Sequence, residues 1–161
     1  MAVRKLVLDD FFDEEQYTLI GIHCTLEDYR IAYLLNKHLE INLLRKPVDL
    51  DFDNGKSTYS IFEWEDDRHL KTWSLVSNIC KREEFQDTTY TSLFETQEPI
   101  TKTFNLIPEY KRVNFFLKIE NEYTDSKEKY IVNQILSIPQ IVTAYSIDAS
   151  QLKSKDNLIF S

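Results

Sequence analysis

Residues 48–61, VDLDFDNGKSTYSI, carry the strongest short-range signal in the chain. Asn54-Gly55 supplies the two positive φ values of a type I′ turn, and apolar and polar residues alternate on both sides. The stretch therefore reads as a β-hairpin. Fixing the turn fixes a register. Leu50 is expected opposite Tyr59 and Val48 opposite Ile61, on the core side. The same lattice carried outward sets Lys46 against Glu63. It also sets Arg45 against Trp64 on the opposite face, with the guanidinium in reach of the indole.

Upstream, Tyr17–Cys24 reads as a strand. Ile20, Ile22 and Cys24 occupy one face and Tyr17, Leu19 and Gly21 the other, which suits a central position. Thr25 is placed to cap a helix over 26–39, with Asp28 three residues on. Ile31, Leu34, Leu35 and Leu39 form its apolar stripe, while Tyr29, Tyr33 and Lys37 lie on a mostly polar flank. Downstream, 71–81 carries Trp73, Leu75 and Val76 and reads as a strand, with helix the competing assignment. Residues 83–103 are polar and weakly periodic, a long connection with room for one short helix. In 113–120, Val113, Phe115, Leu117 and Ile119 point inward and Asn114, Lys118 and Glu120 outward. Phe116 interrupts the outward set, so that face should be partly covered. Asp125 and Glu128 open a second helix with Ile131, Val132 and Ile135 as its stripe. Pro139 stops it, and 141–148 closes with a strand.

Strands joined by a hairpin, plus two main helices, argue for an α+β fold with the helices packed on one face of a largely antiparallel sheet. Setting residues 70–110 aside as an insertion leaves βαββαβ, the ferredoxin-like arrangement. One domain spans 1–161. The acidic leader 1–16, with Phe11 and Phe12, and the tail 150–161 are read as flexible ends, with Leu158, Ile159 and Phe160 able to dock.

Composition excludes several functions. Of 161 residues only Gly21 and Gly55 are glycine, too few and too far apart for a phosphate loop or a dinucleotide turn. Lys and Arg number 19 against 27 Asp and Glu, a net charge of −8. That balance opposes direct nucleic-acid binding and attachment to anionic membranes. The chain shows no secretory signal and no membrane-spanning run. Cys24 and Cys80 stand alone, without metal or redox spacing, as expected of buried thiols in a cytoplasmic protein. His23, His38 and His69 lack zinc-ligand spacing, so no metal and no cofactor is expected.

The pair His23-Cys24 invites a catalytic reading. Strand neighbours point to opposite faces, so His23 cannot activate Cys24 directly. Glu63 and Glu65 share a strand face, where paired carboxylates can act as acid and base, although Lys46 is expected opposite Glu63. Tyr29 and Tyr33, one helical turn apart and off the core stripe, fit an interface.

Residues 106–119, LIPEYKRVNFFLKI, resemble a bacterial family from Bacteroidetes named for an Ile-Pro-Glu-x-x-x-Val-Asp-Tyr motif. The segments KLVLDDFFDEEQYTLIGIHCTLEDYRIAYLLNK (5–37), YSIFEWEDD (59–67) and WSLVSNICK (73–81) are also similar to it, so the likeness runs the full length. Ile107, Pro108, Glu109 and Val113 match the motif, whereas Asn114 replaces its Asp and Phe115 its Tyr. The two departures remove a general base and a hydroxyl, which implies an architectural motif. Pro108 would start a short helical turn with Glu109 near its positive end. The resemblance brings no established activity or cofactor.

The expected function is a noncatalytic protein-interaction or regulatory module that binds a protein partner or a second copy of itself, with Tyr29 and Tyr33 as binding residues. Trp64 is a further candidate binding residue, and the alternative function is a small-metabolite binder or enzyme with a pocket near His23 and Glu63.

Overall fold

The computed structural model describes residues 16–84, 99–120 and 125–160. In chain order, β1 (Tyr17–Cys24) leads into α1 (Asp28–Leu39). Then come β2 (Leu44–Arg45), β3 (Leu50–Phe52), β4 (Ser57–Tyr59), β5 (Ile61–Asp66), β6 (Lys71–Ser77) and β7 (Ile79–Glu84). After β8 (Ile100–Asn105) a 3-10 turn (Pro108–Tyr110) precedes β9 (Phe115–Glu120), α2 (Asp125–Leu136) and β10 (Ile141–Ile147). Two further 3-10 turns, Ala149–Gln151 and Lys155–Leu158, end the described chain.

Six strands form one antiparallel sheet in the order β10-β1-β9-β6-β5-β2. Ile20, Ile22 and Cys24 of β1 share a core with Ile31 and Leu35 of α1 and Ile131 and Ile135 of α2, so both helices lie on one face. The α+β architecture is therefore as expected. Within it, β1, α1, β6, β9, α2 and β10 run in the βαββαβ order, with β1 and β9 central. The insertion is not where the sequence suggested. Lys71–Ser77 is a core strand, so the added pieces are β2 to β5 before it and the β7–β8 ribbon after it.

The other sheet face is covered too. Leu19, Val76 and Phe116 pack there against Leu106, Ile107, Leu152 and Leu158. The tail docks through Leu158, which is fully buried, while Ile159 stays exposed. One expectation is corrected. Lys118 does not face solvent: it is buried beneath that tail. Its Nζ donates to the Leu158 carbonyl at 2.8 Å and lies 4.7 Å and 5.1 Å from the ring centres of Tyr17 and Phe160. Carbonyl and ring faces together compensate part of the ammonium's lost hydration.

The hairpin turn forms as read. Asn54 (φ 54°) and Gly55 (φ 87°) are both left-handed, Lys56 N–H donates to the Asp53 carbonyl, and Leu50 faces Tyr59. The register then slips. Arg45 pairs with Phe62 and not with Trp64, and its guanidinium lies 5.7 Å from the Phe62 ring centre. Pro47 has no N–H to donate, and the chain leaves the ladder between β2 and β3. The Lys46–Glu63 pair nevertheless forms, at 3.4 Å.

Other boundaries move modestly. The first helix starts at Asp28 with Glu27 as N-cap and not with Thr25, and Glu27 makes no side-chain cap bond. The segment 71–81 is two strands interrupted at Asn78, and Glu83 and Glu84 pair with Thr101 and Ile100 where a loop was expected. The remainder of that connection, 85–98, and the leader residues with Phe11 and Phe12 lie outside the described residues. No helix among the described residues is long and apolar enough to cross a membrane.

Candidate interaction surface

The apolar stripe of α1 binds the sheet with Ile31, Ala32 and Leu35, which turns Tyr29 and Tyr33 away from it. They remain 62% and 64% exposed, the exposed large hydrophobic side chains of this helix. Between α1 and the turn entering β10 lies a shallow hollow of about 370 Å³, lined by Leu26, Tyr29, Arg30, Tyr33, Leu34 and Gln140. Arg30 is held 3.7 Å from Glu27 across one helical turn. An apolar floor with tyrosines at its rim can take up a partner side chain. It offers no acid–base pair to transform one.

His23 does not line this hollow. Its Nε2 lies 3.0 Å from the Tyr145 hydroxyl, and the Tyr145 ring in turn lies 6.4 Å from that of Tyr110. Burial, then the neighbouring Tyr110, push the Tyr145 hydroxyl above its ordinary pKa, so it keeps its proton at neutral pH. Cys24 is also raised, by burial, against a smaller opposing effect of the Leu26 backbone bond. A thiol held protonated and buried is a poor nucleophile.

Glu63 and Trp64 sit on β5, separated from His23 on β1 by β9 and β6. Three strand spacings amount to about 14 Å. Glu63 meets Lys46, and Trp64 packs on Trp73 with ring centres 6.4 Å apart. The pocket expected near His23 and Glu63 is thus not formed by the two together, because the topology inserts two strands between their strands. A larger groove of about 700 Å³ lies elsewhere, where β1 begins and β10 ends, and includes Thr18, Glu128, Asp148, Lys155 and Asp156. Asp148 is already engaged there, accepting from the Ser150 amide and hydroxyl.

The motif residues build a joint between the two halves of the chain. Pro108 begins the 3-10 turn, and the Glu109 carboxylate accepts from the Ser154 amide at 3.0 Å and the Ser154 hydroxyl at 2.7 Å. These bonds tie the tail to the motif. The Ser154 hydroxyl holds Glu109 below the usual carboxylate range, partial burial opposes this, and amide donors reinforce it. Ile107, Val113 and Phe115 are buried. Asn114 Oδ1 accepts the Cys24 amide at 3.1 Å, and Asn114 N–H donates to the Ile22 carbonyl, closing the end of β1. Val113 also explains Gly21: a Cβ there would lie 3.2 Å from Val113 Cγ2 and 2.9 Å from Ile147 Cδ1.

No family model, curated protein or solved structure matches this chain. Its surface must therefore be read from its own residues.

One organising residue escaped the sequence reading. Asn78 is fully buried, and its Nδ2 donates to the carbonyls of Tyr110 and Val113, both at 2.8 Å. Its Oδ1 accepts the Ile107 amide at 2.8 Å. The signal was present: a lone asparagine between two β-rich runs, where strand propensity is poor and a side chain that bonds backbone is favoured.

Proposed function

We propose that this chain is a noncatalytic protein-interaction or regulatory module that engages a protein partner, a second copy included, through the Tyr29/Tyr33 face of α1. The observation carrying this reading is the pair of solvent-facing tyrosines at the rim of an apolar hollow. Buried aromatic anchors dominate interface energetics, with the largest contributing at least about 2 kcal/mol each. The engagement of His23 by Tyr145, of Glu63 by Lys46, and the raised pKa of Cys24 all favour binding over chemistry. The net charge of −8 favours protein over nucleic-acid partners. Free, buried Cys24 and Cys80 accord with a cytoplasmic location. The motif likeness supports kinship with the IPExxxVDY proteins.

The test is quantitative affinity capture from native cells, comparing the wild-type chain with Tyr29→Ala/Tyr33→Ala. A partner retained by the wild type should fall at least about tenfold in the double variant, as expected for loss of one anchor. Equal recovery by both, or no partner with either and no self-association, refutes the reading.

A further inference from the structure

The polar groove where β1 begins and β10 ends shares no lining residue with the hollow beside α1. Its volume of about 700 Å³ falls within the range of small-ligand sites, roughly 300–1,000 Å³. Glu128 of α2, Asp148 after β10 and Asp156 of the tail line it, with Lys155 as the one cation of the wall. Three carboxylates against one ammonium leave the wall negative. Asp148 is bonded to Ser150. Among the described residues, neither half-buried Glu128 nor exposed Asp156 enters an ion pair.

Acidic side chains alone make only a solvated surface, and Thr18 supplies the second observation. It is 3% exposed, its Oγ1 has no hydrogen-bond partner among the described residues, and it lines the same groove. Strand alternation gives its direction. Leu19 packs on the tail side of the sheet and Ile20 on the helix side, so the Thr18 side chain points to the helix side with Ile20. Ser146, opposite Ile20, and Glu128, in the first turn of α2, border the groove on that side. A buried hydroxyl without a partner costs stability, and an N–H donor in the groove is the partner this one lacks.

The chemistry of the wall selects the ligand. A bound metal ion needs converging ligands, and no three His, Cys, Asp or Glu side chains converge in that way among the described residues. An anion is opposed by the wall and by the net charge of −8. Carboxylates that do not converge, accepting hydroxyls and the apolar surface of Ile147 and Ile159 suit ammonium groups joined by methylenes. We propose that this groove binds a free linear polyamine, with Glu128 and Asp156 holding its ammonium groups and Thr18 accepting a hydrogen bond from one of them. The site goes beyond the interaction-module reading, and neither depends on the other.

Isothermal titration of the full chain with spermidine, in salt of about 0.15 M to screen diffuse attraction, should show saturable binding of one equivalent. Glu128→Gln and Asp156→Asn should each raise the dissociation constant at least about tenfold. Glu65→Gln makes the same charge change on β5, separated from β1 by β9 and β6, and should leave the constant within about twofold. Thr18→Val should weaken binding at least about threefold while unfolding at higher urea than the wild type, a combination that a damaged fold does not give. Butylamine, with a single ammonium, should bind at least about tenfold more weakly than spermidine. Absence of saturable binding, equal weakening by Glu65→Gln, a Thr18→Val chain that binds like the wild type, or butylamine matching spermidine overturns the site. Capture of a partner through Tyr29 and Tyr33 by a chain that ignores spermidine leaves the interaction-module reading standing.

Discussion

Replacing Asn78 tests whether the motif segment is held by one buried amide. In Asn78→Ala three side-chain hydrogen bonds disappear, to Ile107, Tyr110 and Val113. The Tyr110 carbonyl keeps the Val113 amide as a partner. At about 1 kcal/mol per net bond, with a further penalty for buried backbone groups left unsatisfied, the loss comes to about 3–4 kcal/mol. For a chain of this size that is a fall in Tm of about 6–15 °C. Asn78→Asp is the sharper probe. It keeps an acceptor for Ile107 but aims a carboxylate at two carbonyls, each 2.8 Å from the present nitrogen. Its folded pKa must therefore rise above the unfolded value of about 3.9. A raised folded pKa means that the folded state binds the extra proton, so this variant regains stability relative to Asn78→Ala as pH falls through that pKa. Urea unfolding of the three proteins at pH 7 and near pH 4 measures both effects. A loss below about 1 kcal/mol for Asn78→Ala, or a pH-independent gap between the two variants, would refute this account.

Two further outcomes concern the ends of the sheet. Glu109 is depressed by its bonds to Ser154, so its contribution to stability is present above the unfolded pKa of about 4.3 and is lost as pH falls through the lower folded value. The Tm difference between wild type and Glu109→Gln should close below that range, whereas a constant gap from pH 7 to pH 3 contradicts it. Thr18 is 3% exposed and its Oγ1 has no hydrogen-bond partner among the described residues, so Thr18→Val should stabilise the fold by about 1 kcal/mol in urea unfolding; a loss of that size would show the hydroxyl to be satisfied.

Local chemistry made much of the fold legible. Asn54-Gly55 dictated its own turn, and the apolar residues on both faces of β1 marked a central strand. What was hidden depends on long-range contact. The slip at Arg45 follows from Pro47 breaking a ladder whose other strand also pairs with β6. Lys118 reads as solvent-facing until the tail closes over it, forty residues later in sequence. The candidate surface divided in the same way. Tyr29 and Tyr33 could be placed off the core stripe by helical period alone. The separation of His23 from Glu63 required the strand order, which no local pattern contains.

Asn114 and Phe115 both serve the structure of this chain. Asn114 uses its carbonyl oxygen to receive the Cys24 amide, a bond that a carboxylate oxygen at this position can also accept. Phe115 is 7% exposed in the helix-side core, where a phenolic hydroxyl would need a buried partner and a bare ring does not. Neither side chain lines the hollow beside α1. Glu109 is engaged by the tail. The segment 107–115 therefore fixes where β1 ends.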